Sequence, residues 1–132
     1  MTQRIAEHIG RSACLALSYL KIIHILLKTK ISDGELLAQL AANYEGLVKK
    51  GIMDEDCYIN NAEQYLKYIF PLIKVSVEKT NENPHTLCIA FNNKHFVIID
   101  KDGNIVWNSL GKANNESWRQ LPTKSYRIVR IK

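Results

Sequence analysis

The spacing of apolar residues changes once along this chain, at Pro71, and that change limits the folds open to it. Before Pro71 apolar side chains recur three and four positions apart, which gathers them on one face of a helix. After Pro71 they alternate, the spacing of a half-buried strand. Helices come first and strands second, so a parallel sheet with helical crossovers is disfavoured. The expectation is an α+β domain with an antiparallel sheet. A chain of 132 residues is long enough for one real core and short enough to hold only one. The expected domain is therefore 1–132, helical over 1–70 and a sheet over 72–132.

The helical part has three segments. Residues 12–28 are apolar around most of the circumference, and only Lys21, His24 and Lys28 make a narrow polar edge. Such a helix belongs in the middle of a domain, with Ser12 as its expected N-cap. Within it, 13–27 has the hydropathy of a signal-peptide core. However, Lys21 and His24 interrupt it, and it falls short of the ~20 residues that span a bilayer. No membrane association is expected. Ser32 and Glu35 form a capping box that opens a second helix, whose stripe is Leu36, Leu37, Leu40, Tyr44 and Leu47. Gly51, after two lysines, ends it. A connector over 52–61 leads to a third helix over 61–70, stopped by Pro71.

The expected strands are 72–78, 86–91, 94–100, 104–108 and 125–131, and 111–124 reads as a polar loop holding Trp118. Asn92-Asn93 marks one tight turn. Asp102-Gly103 is the strongest hairpin signal, suited to a type I′ turn. With that turn Lys101 faces Asn104, Ile99 faces Val106 and Val97 faces Asn108. His95, Val97 and Ile99 share one face of their strand, so Asn108 joins them there. His95 and Asn108 become diagonal neighbours roughly 7 Å apart at Cβ, and the asparagine carbonyl can orient the imidazole. A slip of one residue in the loop would reverse the parity.

A nucleophile that such a histidine could serve lies at Cys14, in the first turn of the central helix. The partial positive charge of a helix N-terminus favours thiolate, so a thiol pKa below its ordinary value is expected. The other two cysteines read as structural: Cys88 alternates with Leu87 and Ile89 as a core residue, and Cys57 sits in the connector. Three widely spaced cysteines make neither a disulfide framework nor a paired zinc motif. Reduced thiols in a cytoplasmic setting follow, with no metal or other cofactor. The net charge is +5, but the cations are scattered without interleaved aromatics, so a nucleic-acid partner is not expected.

The order Cys14, His95, Asn108 resembles that of the papain-like cysteine peptidases. The likeness is nearest to the compact branch that includes the double-glycine leader peptidases of bacteriocin exporters. It rests on Ala13-Cys14-Leu15-Ala16-Leu17, His95-Phe96-Val97-Ile98-Ile99 and Trp107-Asn108-Ser109-Leu110-Gly111. The connector from Gly51 to Asn61 is similar to a segment of short uncharacterised phage and spirochaete-plasmid proteins of this general type. The resemblance implies a papain-like fold and a thiol hydrolase acting on a peptide or amide bond. Cys14 would attack the acyl carbon, His95 would move the proton and Asn108 would hold His95. In such peptidases an upstream glutamine lends its amide to the oxyanion; His8 occupies that position here. Ala13 stands where glycine is common, and Asn108-Ser109 where Asp-Pro is common. These departures carry the alternative: a catalytically inactive papain-like fold that binds a protein or peptide.

Overall fold

The computed structural model describes residues 12–132. It is a mixed α+β structure in which α1 (Ser12–Leu26), α2 (Asp33–Lys49) and α3 (Ala62–Ile69) precede β1 (Val75–Thr80). Then come β2 (Cys88–Phe91), β3 (Phe96–Ile99), β4 (Ile105–Trp107), a 3-10 turn (Lys112–Asn114), α4 (Asn115–Arg119) and β5 (Ser125–Ile131). The five strands form one sheet in the order β1-β5-β2-β3-β4, and every neighbouring pair is antiparallel.

Local chemistry sets the helix ends. The Ser32 hydroxyl accepts from the Glu35 amide at 3.1 Å, and the Glu35 carboxylate accepts from the Ser32 amide at 3.0 Å, closing the capping box. At the other end of α2, Gly51 has φ +72. Its N–H donates to the Val48 carbonyl while Ile52 N–H donates to Leu47, both at 3.0 Å, so the last carbonyls of the helix are satisfied. Asn61 caps α3 through the Gln64 amide at 3.0 Å. Ser12 does not act as the expected N-cap. It is already helical, and its hydroxyl donates to the carbonyl of Asp56 in the connector.

The sheet is apolar on both faces. On one, α1 to α3 cover Ile89, Ile98 and Val129, with Tyr19, Leu20, Leu40 and Leu66 in the same core. On the other, Cys88, Ala90, Val97, Ile99, Tyr126 and Ile128 pack against Trp118. This second layer corrects the expectation of a polar loop over 111–124. Trp118 needs an apolar neighbour, and the short α4 carries it onto the sheet. β1 also begins later than expected, because β5 sets its extent by pairing Val75 with Ile131. Leu72, expected inside the strand, is 97% exposed. No helix among the described residues is long and apolar enough to cross a membrane.

The β3–β4 hairpin differs from expectation twice. Asp102 is not in the left-handed region, whereas Gly103 has φ +84. The turn is therefore not type I′. Gly103 N–H donates to the Asp100 carbonyl at 3.0 Å and Asp100 N–H donates to Asn104 at 2.9 Å, closing a three-residue loop over 101–103. That loop pairs Ile99 with Ile105, one residue out of the expected register. The register then shifts between Ile99 and Ile98, and Ile98 faces Trp107. Val106 is the extra residue of this bulge and turns outward, 47% exposed. The second irregularity undoes the first, so Asn108 returns to the face of Val97.

Candidate active site

Cys14 lies in the first turn of α1 and has no solvent exposure. Two hydrogen bonds hold the backbone around it. Ser18 Oγ donates to the Cys14 carbonyl at 2.7 Å, and Tyr65 Oη donates to the Ala16 carbonyl at 2.9 Å. Burial pushes the Cys14 thiol above its ordinary pKa; amide N–H groups of Phe96, Leu15 and Cys14 itself act in the opposite direction. Burial outweighs the helix terminus, which corrects the expectation of a lowered thiol pKa. The Phe96 contact also locates the sulfur. It lies against the amide that immediately follows His95.

His95 is held from three sides. Its N–H donates to Asn92 Oδ1 at 2.9 Å, and its carbonyl accepts from Trp118 Nε1 at 2.8 Å. Asn92 Nδ2 in turn donates to the Trp118 carbonyl at 2.9 Å, which ties the start of β3 to α4. The ring itself meets Asn108, with His95 Nε2 and Asn108 Oδ1 2.8 Å apart. Asn108 Oδ1 also accepts from the Leu110 amide at 3.0 Å, while its Nδ2 donates to Asn115 Oδ1 at 3.0 Å. An amide oxygen can only accept, so the His95 proton sits on Nε2. The lone pair is left on Nδ1, which is buried and has no hydrogen-bond partner among the described residues. Such a nitrogen is the atom a general base needs, although His24 Nδ1 on α1 is also buried without a partner among the described residues. Burial lowers the His95 pKa and the Asn108 bond raises it; the net direction is downward. Both shifts favour the uncharged forms, thiol and imidazole.

Of the residues singled out in the sequence, His95 and Asn108 are in contact, whereas the Cys14 sulfur meets the Phe96 amide and is not hydrogen-bonded to His95 Nδ1. His8 falls outside the described residues. Cys57 and Cys88 are buried in the connector and the second core. Asn92, Asn115 and Trp118 were not anticipated as supports of the histidine. The Asn92-Asn93 turn was visible, but nothing in the sequence indicated that its side chain would reach α4.

Two cavities lie near the start of β3, and His95 itself lines only the second. One, of about 360 Å³, lies on the α1 side and is lined by Ser12, Leu15, Phe91, Lys94, Phe96 and Arg127 among others. The other, of about 480 Å³, lies on the α4 side between His95, Leu110, Trp118 and Leu121. Among the described residues no group of three or more His, Cys, Asp or Glu side chains could hold a metal ion.

The family model described as "Protein of unknown function, DUF261" matches residues 1–131. The chain belongs to that family. No curated protein and no solved structure matches it.

Proposed function

We propose that this protein is a thiol hydrolase of papain-like architecture that cleaves a peptide or amide bond with Cys14, His95 and Asn108. The observation that supports this reading best is the state of the imidazole. Asn108 holds the proton on Nε2, and Nδ1 is buried and unpartnered on a residue whose next amide touches the Cys14 sulfur. Nucleophilic catalysis requires a base oriented by a third group and within reach of the thiol; Asn108 supplies the orientation, and in this reading the sulfur turns from the Phe96 amide to Nδ1. In the reaction the Cys14 proton passes to His95 Nδ1 as the sulfur attacks the acyl carbon. The imidazolium then protonates the leaving amine. Water, deprotonated by His95, hydrolyses the thioester and returns the thiol. The Cys14 amide and His8 are the oxyanion donors in this reading.

Iodoacetamide labelling followed by peptide mass mapping tests it. Cys14 should react faster than Cys57 and Cys88, and a His95→Ala substitution should remove that advantage. Labelling of Cys14 no faster than that of Cys88 would sink the proposal. A second reading, a binding module without catalysis, is favoured by the complete burial of Cys14. In that case all three thiols stay inert until the chain unfolds.

A further inference from the structure

The α1-side cavity carries positive charge that no carboxylate among the described residues balances. Arg127 lies on β5 between Lys79 of β1 and Ile89 of β2, so its cross-strand neighbours offer no acid. Its guanidinium sits over the Phe96 ring at 4.8 Å, and Phe96 is stacked on Phe91 at 4.2 Å. One terminal nitrogen, Nη1, is buried without a hydrogen-bond partner among the described residues. The Tyr19 hydroxyl, a neutral group, lies close enough for the guanidinium to act on its pKa. Lys94, exposed on the β2–β3 turn, adds a second cation to the same lining. Among the described residues no acidic side chain contributes to that lining. The nearby Asp54 turns its carboxylate back onto the amides of Asp56 and Tyr58.

Position gives the charge a use. Ser12 and Leu15 of the lining flank Cys14 along α1, and Lys94 and Phe96 flank His95, although neither Cys14 nor His95 itself lines the cavity. We propose that this cavity receives a carboxylate of the substrate through Arg127 and Lys94, selecting peptides with a negative group next to the bond presented to Cys14. The site rests on the hydrolase reading and names the substrate class for it. A guanidinium already stripped of water on one nitrogen, and fixed on an aromatic face, loses less on pairing with a carboxylate than a free side chain does. The stacked phenylalanines take up the apolar stem of the same group. The carboxylate is either an acidic side chain or a chain terminus, and both have the same chemistry.

The test uses the Cys14→Ser protein labelled with ¹⁵N, titrated with three small probes by NMR. N-acetylglutamate α-methylamide carries only a side-chain carboxylate. N-acetylglutamine carries only a terminal one, and N-acetylglutamine methylamide carries none. One carboxylate probe should bind about tenfold tighter than the neutral amide, with shifts at Phe96 and the Arg127 side chain. Which of the two binds identifies the source. Arg127→Gln should abolish the preference. Lys94→Gln, at an exposed position that leaves the core intact, should weaken it severalfold even if the arginine variant does not fold. Equal binding of all three probes, binding of none, or a preference unchanged in the Lys94 variant with shifts elsewhere would overturn the proposal. Binding does not need the thiol. Normal Cys14 labelling with no carboxylate preference removes this site alone, and failed labelling with the preference intact removes the hydrolase alone.

Discussion

Asn108→Ala removes an acceptor and a donor from a buried polar cluster, and its cost follows from three bonds. The 2.8 Å contact to His95 leaves a ring N–H unsatisfied at a site that is 7% exposed. An orphaned buried donor of that kind costs about 1–3 kcal/mol. The Leu110 amide also loses its acceptor, but Leu110 is 43% exposed and water can replace it. The Asn115 contact lies at the edge of the site and adds little. The total is about 2 kcal/mol, which at a urea m-value of ~2 kcal/mol per molar lowers the midpoint by about 1 M. Trp107 and Trp118 fluorescence reports the transition. The same substitution frees the imidazole to move its proton to Nδ1, which long-range ¹H–¹⁵N spectra of His95 would record. Asn108→Asp keeps the acceptor, and its charge raises the His95 pKa. A midpoint change equivalent to less than about 0.5 kcal/mol, with His95 still protonated on Nε2, would refute the reasoning.

Two further outcomes follow. The His95 pKa is lowered in the folded state, so the unfolded chain binds the proton first as pH falls. This contribution to stability is intact above the ordinary value of 6.5 and is lost as pH drops below it toward the folded value. His95→Gln should flatten that part of the curve in urea titrations at stepped pH, and an unchanged slope would contradict the assignment. Ser32→Ala opens the capping box of α2 and should cost about 1 kcal/mol by thermal unfolding. A loss near zero would mean that packing alone sets the helix start.

The helical part was legible nearly to the residue, because capping and periodicity are local. Ser32-x-x-Glu35 specifies its own bonds, and Asn61 and Gly51 mark helix ends wherever the chain goes next. Ser12 was the exception. The carbonyl that takes its hydroxyl belongs to Asp56, forty-four positions away. The strands were legible as a set but not as a sheet. Nothing local says that the last strand enters between the first and second, or that β1 starts at Val75 because Ile131 lies opposite. The loop over 111–124 looked polar because a single large apolar residue in it, Trp118, makes no periodic signal.

The pairing of His95 with Asn108 shows where the boundary lies. Its parity followed from Asp102-Gly103, yet the turn that forms there is one residue longer than the assumed one. A bulge at Val106 restores the register. Without it, Asn108 would face Phe96 on the opposite side of the sheet from the imidazole. Sequence alone determined the fold class, the helix ends, the Cys14–His95–Asn108 order and the alternation that makes faces. Tertiary structure decided which face each residue reached: with the bulge in place, Trp107 packs on the helical core and donates to Asp33 of α2, contacts far from it in sequence. It also decided the state of Cys14. The helix terminus is a local field that the sequence reveals, but desolvation depends on everything packed around the sulfur, and here it is the larger effect.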